Sequence, residues 1–265
     1  MLLAAGFVFC FGANAEQSLL RGLKMNLNAE KTVREFATEI PHATRIFEKF
    51  GIDYCCGGGK PLQAACRQAN ISLDEVLRCL QEAEANLPGS GAAPDFQNAG
   101  LVELIAHILA AHHGYVKHEI PRIKQLLLKV VAVHCAGHPE LAAVQRTFHA
   151  LADELLAHMM KEEVVLFPYI EKLELAAGAG KPAPRAPFGS IRNPVRMMEL
   201  EHDSAGGALE QLRKLTSAYT PPESACFSYK TLYTALQDFE ADLHQHVHLE
   251  NNILFPRAIT LEDRG

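Results

Sequence analysis

The chain has 265 residues, 48% of them hydrophobic and 21% charged, with a net charge of −6. That is the composition of an ordinary globular protein long enough for about two domains. The negative balance argues against a phosphate-binding surface, and the absence of tryptophan argues against an aromatic platform for nucleic acid. No apolar run long enough to span a membrane follows residue 25.

Residues 1–25 contain LLAAGFVFCFGANA, with an A-x-A triplet at Ala13-Asn14-Ala15 but no preceding Lys or Arg. The missing positive flank favours an extension or tail over a signal-like segment. Residues 26–86 read as a small helical domain. Thr32 with Glu35 and Ser72 with Glu75 each match the S/T-x-x-E capping box that opens a helix. Between those helices lies GIDYCCGGG, Gly51 to Gly59. Vicinal Cys55 and Cys56 are too close along the chain for an unstrained disulfide. We read them as two thiols on a mobile loop, a candidate thiol site. Gly57, Gly58 and Gly59 would permit unusual backbone conformations and close approach of another surface. The seven cysteines show no C-x-x-C pair, which points to reduced thiols in a cytoplasm.

LPGSGAAP marks a linker over 87–99. The remaining 100–260 is long-period helical. Breaks at GAGKPAPRAPFGSIRNP and at Tyr219-Thr220-Pro221-Pro222 divide it into helices near 100–133, 139–176, 194–217 and 223–260. Four such helices most simply form a bundle, so the expected fold class is all-α.

This second region repeats itself. His158-Met-Met-Lys-Glu162 and His246-Val-His-Leu-Glu250 both read H-x-x-x-E and both run on to LFP, 88 residues apart. Positions i and i+4 share a helix face, so an imidazole and a carboxylate can grip one metal, and the carboxylate can bridge to a second. The proline of each LFP is expected to end or kink its helix. A lone histidine precedes each motif at matching distance: His113 lies 45 residues before His158, and His202 lies 44 before His246. His107, His112 and His118 compete with His113. The candidate ligands are therefore His113, His158, Glu162, His202, His246 and Glu250. Four imidazoles and two bridging carboxylates suit two iron ions in a bundle core. Glu163, about 140° around the helix from His158, is not expected to serve the metal.

HMMKEEVVLFP, LEHDSAG and HLENNILFPRA resemble the hemerythrin-like domain of the repair-of-iron-centres family. FGIDYCCGGG resembles that family's small N-terminal domain. The resemblance implies a cytoplasmic protein with two iron ions that helps restore iron–sulfur clusters damaged by nitric oxide or peroxide. It would do so by iron donation or NO removal. The same six ligands fall on the family's metal motifs. The implied partners are damaged iron–sulfur proteins and NO or O2, with no nucleic acid and no membrane; a homodimer stays open. A hemerythrin-like O2 or NO sensor or store is the alternative, as is an enzyme that couples two NO molecules to nitrous oxide.

Overall fold

The computed structural model describes residues 30–40, 42–85 and 96–264. The expected extension at 1–25 and most of the expected linker lie outside them. No β-strand occurs among the described residues.

Four short helices form the first unit: α1 (Val33–Glu39), α2 (Ala43–Phe50), α3 (Leu62–Ala69) and α4 (Leu73–Ala85). The capping box of α1 is complete. The Glu35 amide donates to Thr32 Oγ1 at 3.2 Å, and the Thr32 amide donates back to Glu35 Oε2 at 2.7 Å. At α4 the Glu75 amide reaches Ser72 Oγ at 3.5 Å, a looser version of one half of that box.

The second unit is four antiparallel rods. The first comprises α5 (Leu101–His107), a π-turn (Ile108–His113) and α6 (Gly114–His134). The second comprises α7 (Glu140–Lys161), a π-turn (Glu162–Leu166) and α8 (Phe167–Gly178). The third is the unbroken α9 (Arg192–Leu215). The fourth comprises α10 (Phe227–Leu249), a π-turn (Glu250–Leu254) and α11 (Phe255–Arg264).

Each π-turn begins or ends on a candidate ligand, and π-turns mark functional positions in helices. They also answer the two prolines. Pro168 and Pro256 do not end their rods, because α8 and α11 run on beyond them. A proline needs a missing N–H and room for its ring one turn back, and a widened turn supplies both.

The core has two apolar layers. One joins the small domain's Val33, Phe36, Phe47 and Leu62 to Ile123, Phe148, Leu236 and Phe239 of the bundle. The other gathers Leu104, Ile108, Leu166, Phe167, Leu254 and Phe255, so both LFP motifs pack here. The small domain thus shares a core with the bundle.

Candidate metal centre

All six candidate residues are buried and converge. His113 ends the π-turn of the first rod, and His202 sits mid-way along α9. His158 and His246 lie near the C-terminal ends of α7 and α10, one turn before Glu162 and Glu250. His113 Nε2 faces His246 Nε2 at 3.1 Å, and His158 Nε2 faces His202 Nε2 at 3.0 Å. Glu162 Oε2 lies 3.5 Å from His113 Nε2 and 3.3 Å from His158 Nε2. Glu250 lies 3.2 Å from His202 Nε2 and 2.9 Å from His246 Nε2.

The donor atoms fall into two sets, each within 4.8 Å: His113, Glu162, His246, Glu250, and His158, Glu162, His202, Glu250. Both carboxylates belong to both sets. Each set also draws two residues from each repeat, so neither repeat alone completes a metal position.

The donors fit a cation. Glu162 Oε1 is buried without a hydrogen-bond partner, and Glu162 Oε2 and Glu250 Oε2 have only the poorly aligned imidazole contacts given above. Leaving such oxygens bare costs a few kcal/mol apiece, more for a charge. Facing imidazole nitrogens 3 Å apart need either a proton or an ion between them. His113 and His158 hold protons here. Burial alone would push His113 down, but the Glu162 and Glu250 carboxylates outweigh it and hold it up to about 10. At His158 burial is likewise outweighed, by Glu162, Glu250 and Glu201, and its value rises to about 9. Burial and mutual repulsion would raise the Glu162 carboxyl, yet His113 and His158 keep it below its ordinary value.

The outer nitrogens of three imidazoles are fixed as well. His113 Nδ1 meets Glu163 Oε1 at 2.7 Å, and Lys117 Nζ donates to the same oxygen at 2.6 Å. His158 Nδ1 meets Glu201 Oε2 at 2.8 Å, and Lys161 covers the other oxygen. His202 Nδ1 meets Asn251 Oδ1 at 2.9 Å. Such partners fix ring orientation and raise ligand basicity. Glu163 therefore corrects the sequence reading: it misses the metal position on its own rod but reaches the histidine of the neighbouring one. Glu201 and Asn251 were missed altogether. The signal was adjacency: each sits beside a ligand, about 100° around the helix, where it faces the next rod.

The competing histidines stand aside. His112 Nδ1 pairs with Asp242 Oδ1 at 2.9 Å, and its ring stacks on His246 with centroids 5.7 Å apart. His118 is exposed and meets Glu119. His244 and His248 turn toward Tyr54 of the small domain.

The cysteine loop also departs from expectation. It is an ordered turn closed by the Asp53 carboxylate, which accepts the amides of Cys55, Cys56 and Gly57 at 3.0, 3.1 and 2.8 Å. Cys55 is buried, Cys56 half-buried, and their sulfurs are 3.9 Å apart. The hydrogen bond to Cys56, burial and the Asp53 charge push the Cys55 thiol well up, so it is a thiol rather than a thiolate. The glycines serve the turn itself, and none of Gly57, Gly58 and Gly59 has positive φ. A Cβ on Gly57 would lie 2.8 Å from Asp53 Oδ2, and one on Gly58 would lie 2.6 Å from the Tyr54 carbonyl. On the bundle side Cys56 Sγ packs beside Gly206 of α9, 3.7 Å from where a Cβ would stand, an ordinary van der Waals distance. The two thiols border a cleft of about 580 Å³ between the units, together with Asp203, Gly207 and His244.

A four-helix bundle with paired His and Glu candidate donors shared between two buried positions has the form of a hemerythrin-like bundle. The Hemerythrin HHE cation binding domain model matches residues 104–258, and ScdA_N, a domain of unknown function, matches 29–84. A probable iron–sulfur cluster repair protein of Haemophilus influenzae is 36% identical over 231 residues, 87% of this chain and 97% of that protein. The iron–sulfur cluster repair protein YtfE of Pectobacterium atrosepticum is 37% identical over 232 residues, again 87% and 97%. YtfE of Escherichia coli O81 is 35% identical over 234 residues, 88% and 98%. The chain belongs to this family of iron–sulfur cluster repair proteins with a hemerythrin-like domain. Among the described residues no helix is long and apolar enough to cross a membrane.

Proposed function

We propose that two iron ions occupy the two donor sets and that the chain uses them to repair iron–sulfur clusters damaged by nitrosative or oxidative stress. The observation that carries this reading is the sharing of both buried carboxylates between two ligand sets. Each set offers two imidazoles and two carboxylates. An iron ion that prefers six donors would keep open positions there. Bound iron would supply a place for NO or O2 to bind and iron for a damaged cluster.

The protein's own residues do the rest. The six ligands hold charge in a site walled by two apolar layers. Glu163, Glu201 and Asn251 orient three of the imidazoles. The Cys55–Cys56 turn presents soft sulfur donors beside a cleft, suited to an iron ion in transit or to a client protein. Six free cysteines among the described residues suit a reducing cytoplasm.

The test is direct. Protein purified without added metal is assayed for iron, then incubated with an iron–sulfur protein whose cluster has been damaged by NO. The expected result is about two irons per chain and recovery of the client's cluster absorbance, with iron traceable to the repair protein or NO removed by it. A stable nitrosyl without recovery supports a sensor. Nitrous oxide released without recovery supports an enzyme. Either outcome overturns the repair reading.

A further inference from the structure

The π-turn Glu250–Leu254 does more than hold a ligand. Three consecutive residues on it have separate tasks. Glu250 enters both metal sets. Asn251 orients His202. Asn252 leaves the metal centre altogether: its Nδ2 donates to the Tyr54 carbonyl at 2.9 Å and to His248 Nδ1 at 2.8 Å. Tyr54 is the residue before the two cysteines. Both partners of Nδ2 accept, so the amide orientation is fixed by the bonds it makes.

Tyr54 is anchored again at its other end. Its hydroxyl donates to Glu48 Oε1 at 2.7 Å and accepts from Gln245 Nε2 at 2.9 Å. The ring meets His248 edge-on, with centroids 5.5 Å apart. The cysteine turn is therefore bound to the rod that carries Glu250.

The internal repeat supplies a control. Residue 252 corresponds to 164, 251 to 163 and 250 to 162, each 88 positions apart. Glu163 does for His113 what Asn251 does for His202. At the next position the repeats part company. Val164 is 68% exposed, while Asn252 is 8% exposed and holds Tyr54. The same divergence runs along the stripe. Met160 is 60% exposed and Leu156 40%, but their counterparts His248 and His244 lie under Tyr54. Metal binding alone does not require an amide at 252, because its counterpart at 164 is an exposed valine.

We infer that Asn252 is a positioning residue that couples metal loading at Glu250 to the accessibility of the Cys55–Cys56 thiols. Glu250 Oε2 makes no well-formed hydrogen bond, only the 3.2 Å contact with His202 Nε2, so a bound cation would add a restraint to its turn. A cation there fixes the carboxylate and the turn. Asn252, two residues on, then holds the Tyr54 carbonyl more firmly, and the thiol turn opens less often. The inference rests on metal binding at the six-ligand centre, proposed above, and not on repair activity.

The test needs no client. The full chain is stripped of metal, and half is reloaded with ferrous iron anaerobically and its iron content measured. Alkylation of Cys56 by iodoacetamide is then followed by peptide mass. Couplings of this kind are commonly at least about five-fold, so loading is expected to slow alkylation by roughly that factor. In Asn252→Ala, and in Asn252→Leu, which preserves bulk, iron content is expected to hold while the loaded and metal-free rates converge within about two-fold. Val164→Ala at the counterpart position should leave the coupling intact. A wild-type rate indifferent to bound iron overturns the coupling and leaves the metal centre standing, as do Asn252 variants that keep the full difference. A chain that takes up no iron overturns both.

Discussion

Loading the metal centre should expel protons, and the number follows from the geometry. In the ion-free arrangement His113 is held up at about 10 and His158 at about 9. At pH 7.5 both imidazoles are then over about 95% protonated. A ligand nitrogen must give up its proton to bind a cation. Filling both positions should release about two protons per chain from these two residues. The apparent affinity should rise with pH with a slope near two between pH 7 and 8.5, then flatten as pH passes through about 9 and about 10. Proton release is read with an indicator dye in weakly buffered, metal-stripped protein titrated anaerobically with ferrous iron. The slope comes from competition with a chelator at several pH values. Release below about half a proton would refute the argument, since it would mean that the buried carboxylates do not hold protons on these imidazoles. The linkage has a second face. Because both values are raised, the protons stabilise the metal-free fold fully below about pH 6.5, and that contribution is lost as pH climbs through 9 and 10. Metal-free protein should therefore melt at lower temperature at pH 10 than at pH 7.

Glu162→Ala or Glu250→Ala should lower iron content sharply, because each carboxylate belongs to both candidate donor sets; full iron in either variant would refute the bridging arrangement. Glu163→Gln and Glu201→Gln should retain the fold but weaken iron binding about 10- to 100-fold, measured by chelator competition; unchanged affinity would reduce them to surface ion pairs. Burial, aided by the nearby Arg34 charge, holds His248 down at about 4, so it is neutral in the fold. Its contribution, on the order of 3 kcal/mol in full, is present above about pH 6.5 and lost as pH falls through 4. Amide exchange in residues 52–57 should accordingly quicken at pH 5 relative to the rods, and equal protection at both pH values would contradict this. A Cys55→Ser/Cys56→Ser variant should keep its iron and lose client repair; full repair would leave the pair a packing role.

The rods and the convergence of the six candidate residues were legible because two periodicities agreed. An i,i+4 His–Glu pair is weak alone, but its recurrence after 88 residues, each time with a histidine 44 or 45 positions upstream, excludes most alternatives. What escaped was lateral. Glu163, Glu201 and Asn251 act on histidines of other rods, and a helical wheel drawn for one rod shows only that they miss its own metal-facing side. The π-turns escaped because each is a single turn with one added residue inside an otherwise α-helical rod, and no residue type marks it. The cysteine turn was misjudged because three glycines suggest mobility when read alone. Asp53, two residues before Cys55, closes the turn by gathering three amides, a local trap typical of aspartate.

The repeat also has a consequence for folding. If each repeat built its own metal position, either half could be ordered by one ion. Here His113 and Glu162 of the first repeat meet His246 and Glu250 of the second, while His158 and Glu162 meet His202 and Glu250. Every ion would therefore tie both halves, and the free energy of binding adds to the closure of the whole bundle. The stripes facing away from the centre are freed from that constraint. One carries exposed Leu156, Met160 and Val164; the other, with His244, His248 and Asn252, holds the cysteine domain. Duplication supplies both candidate donor sets, and the difference between the copies seats the cysteine domain against the fourth rod.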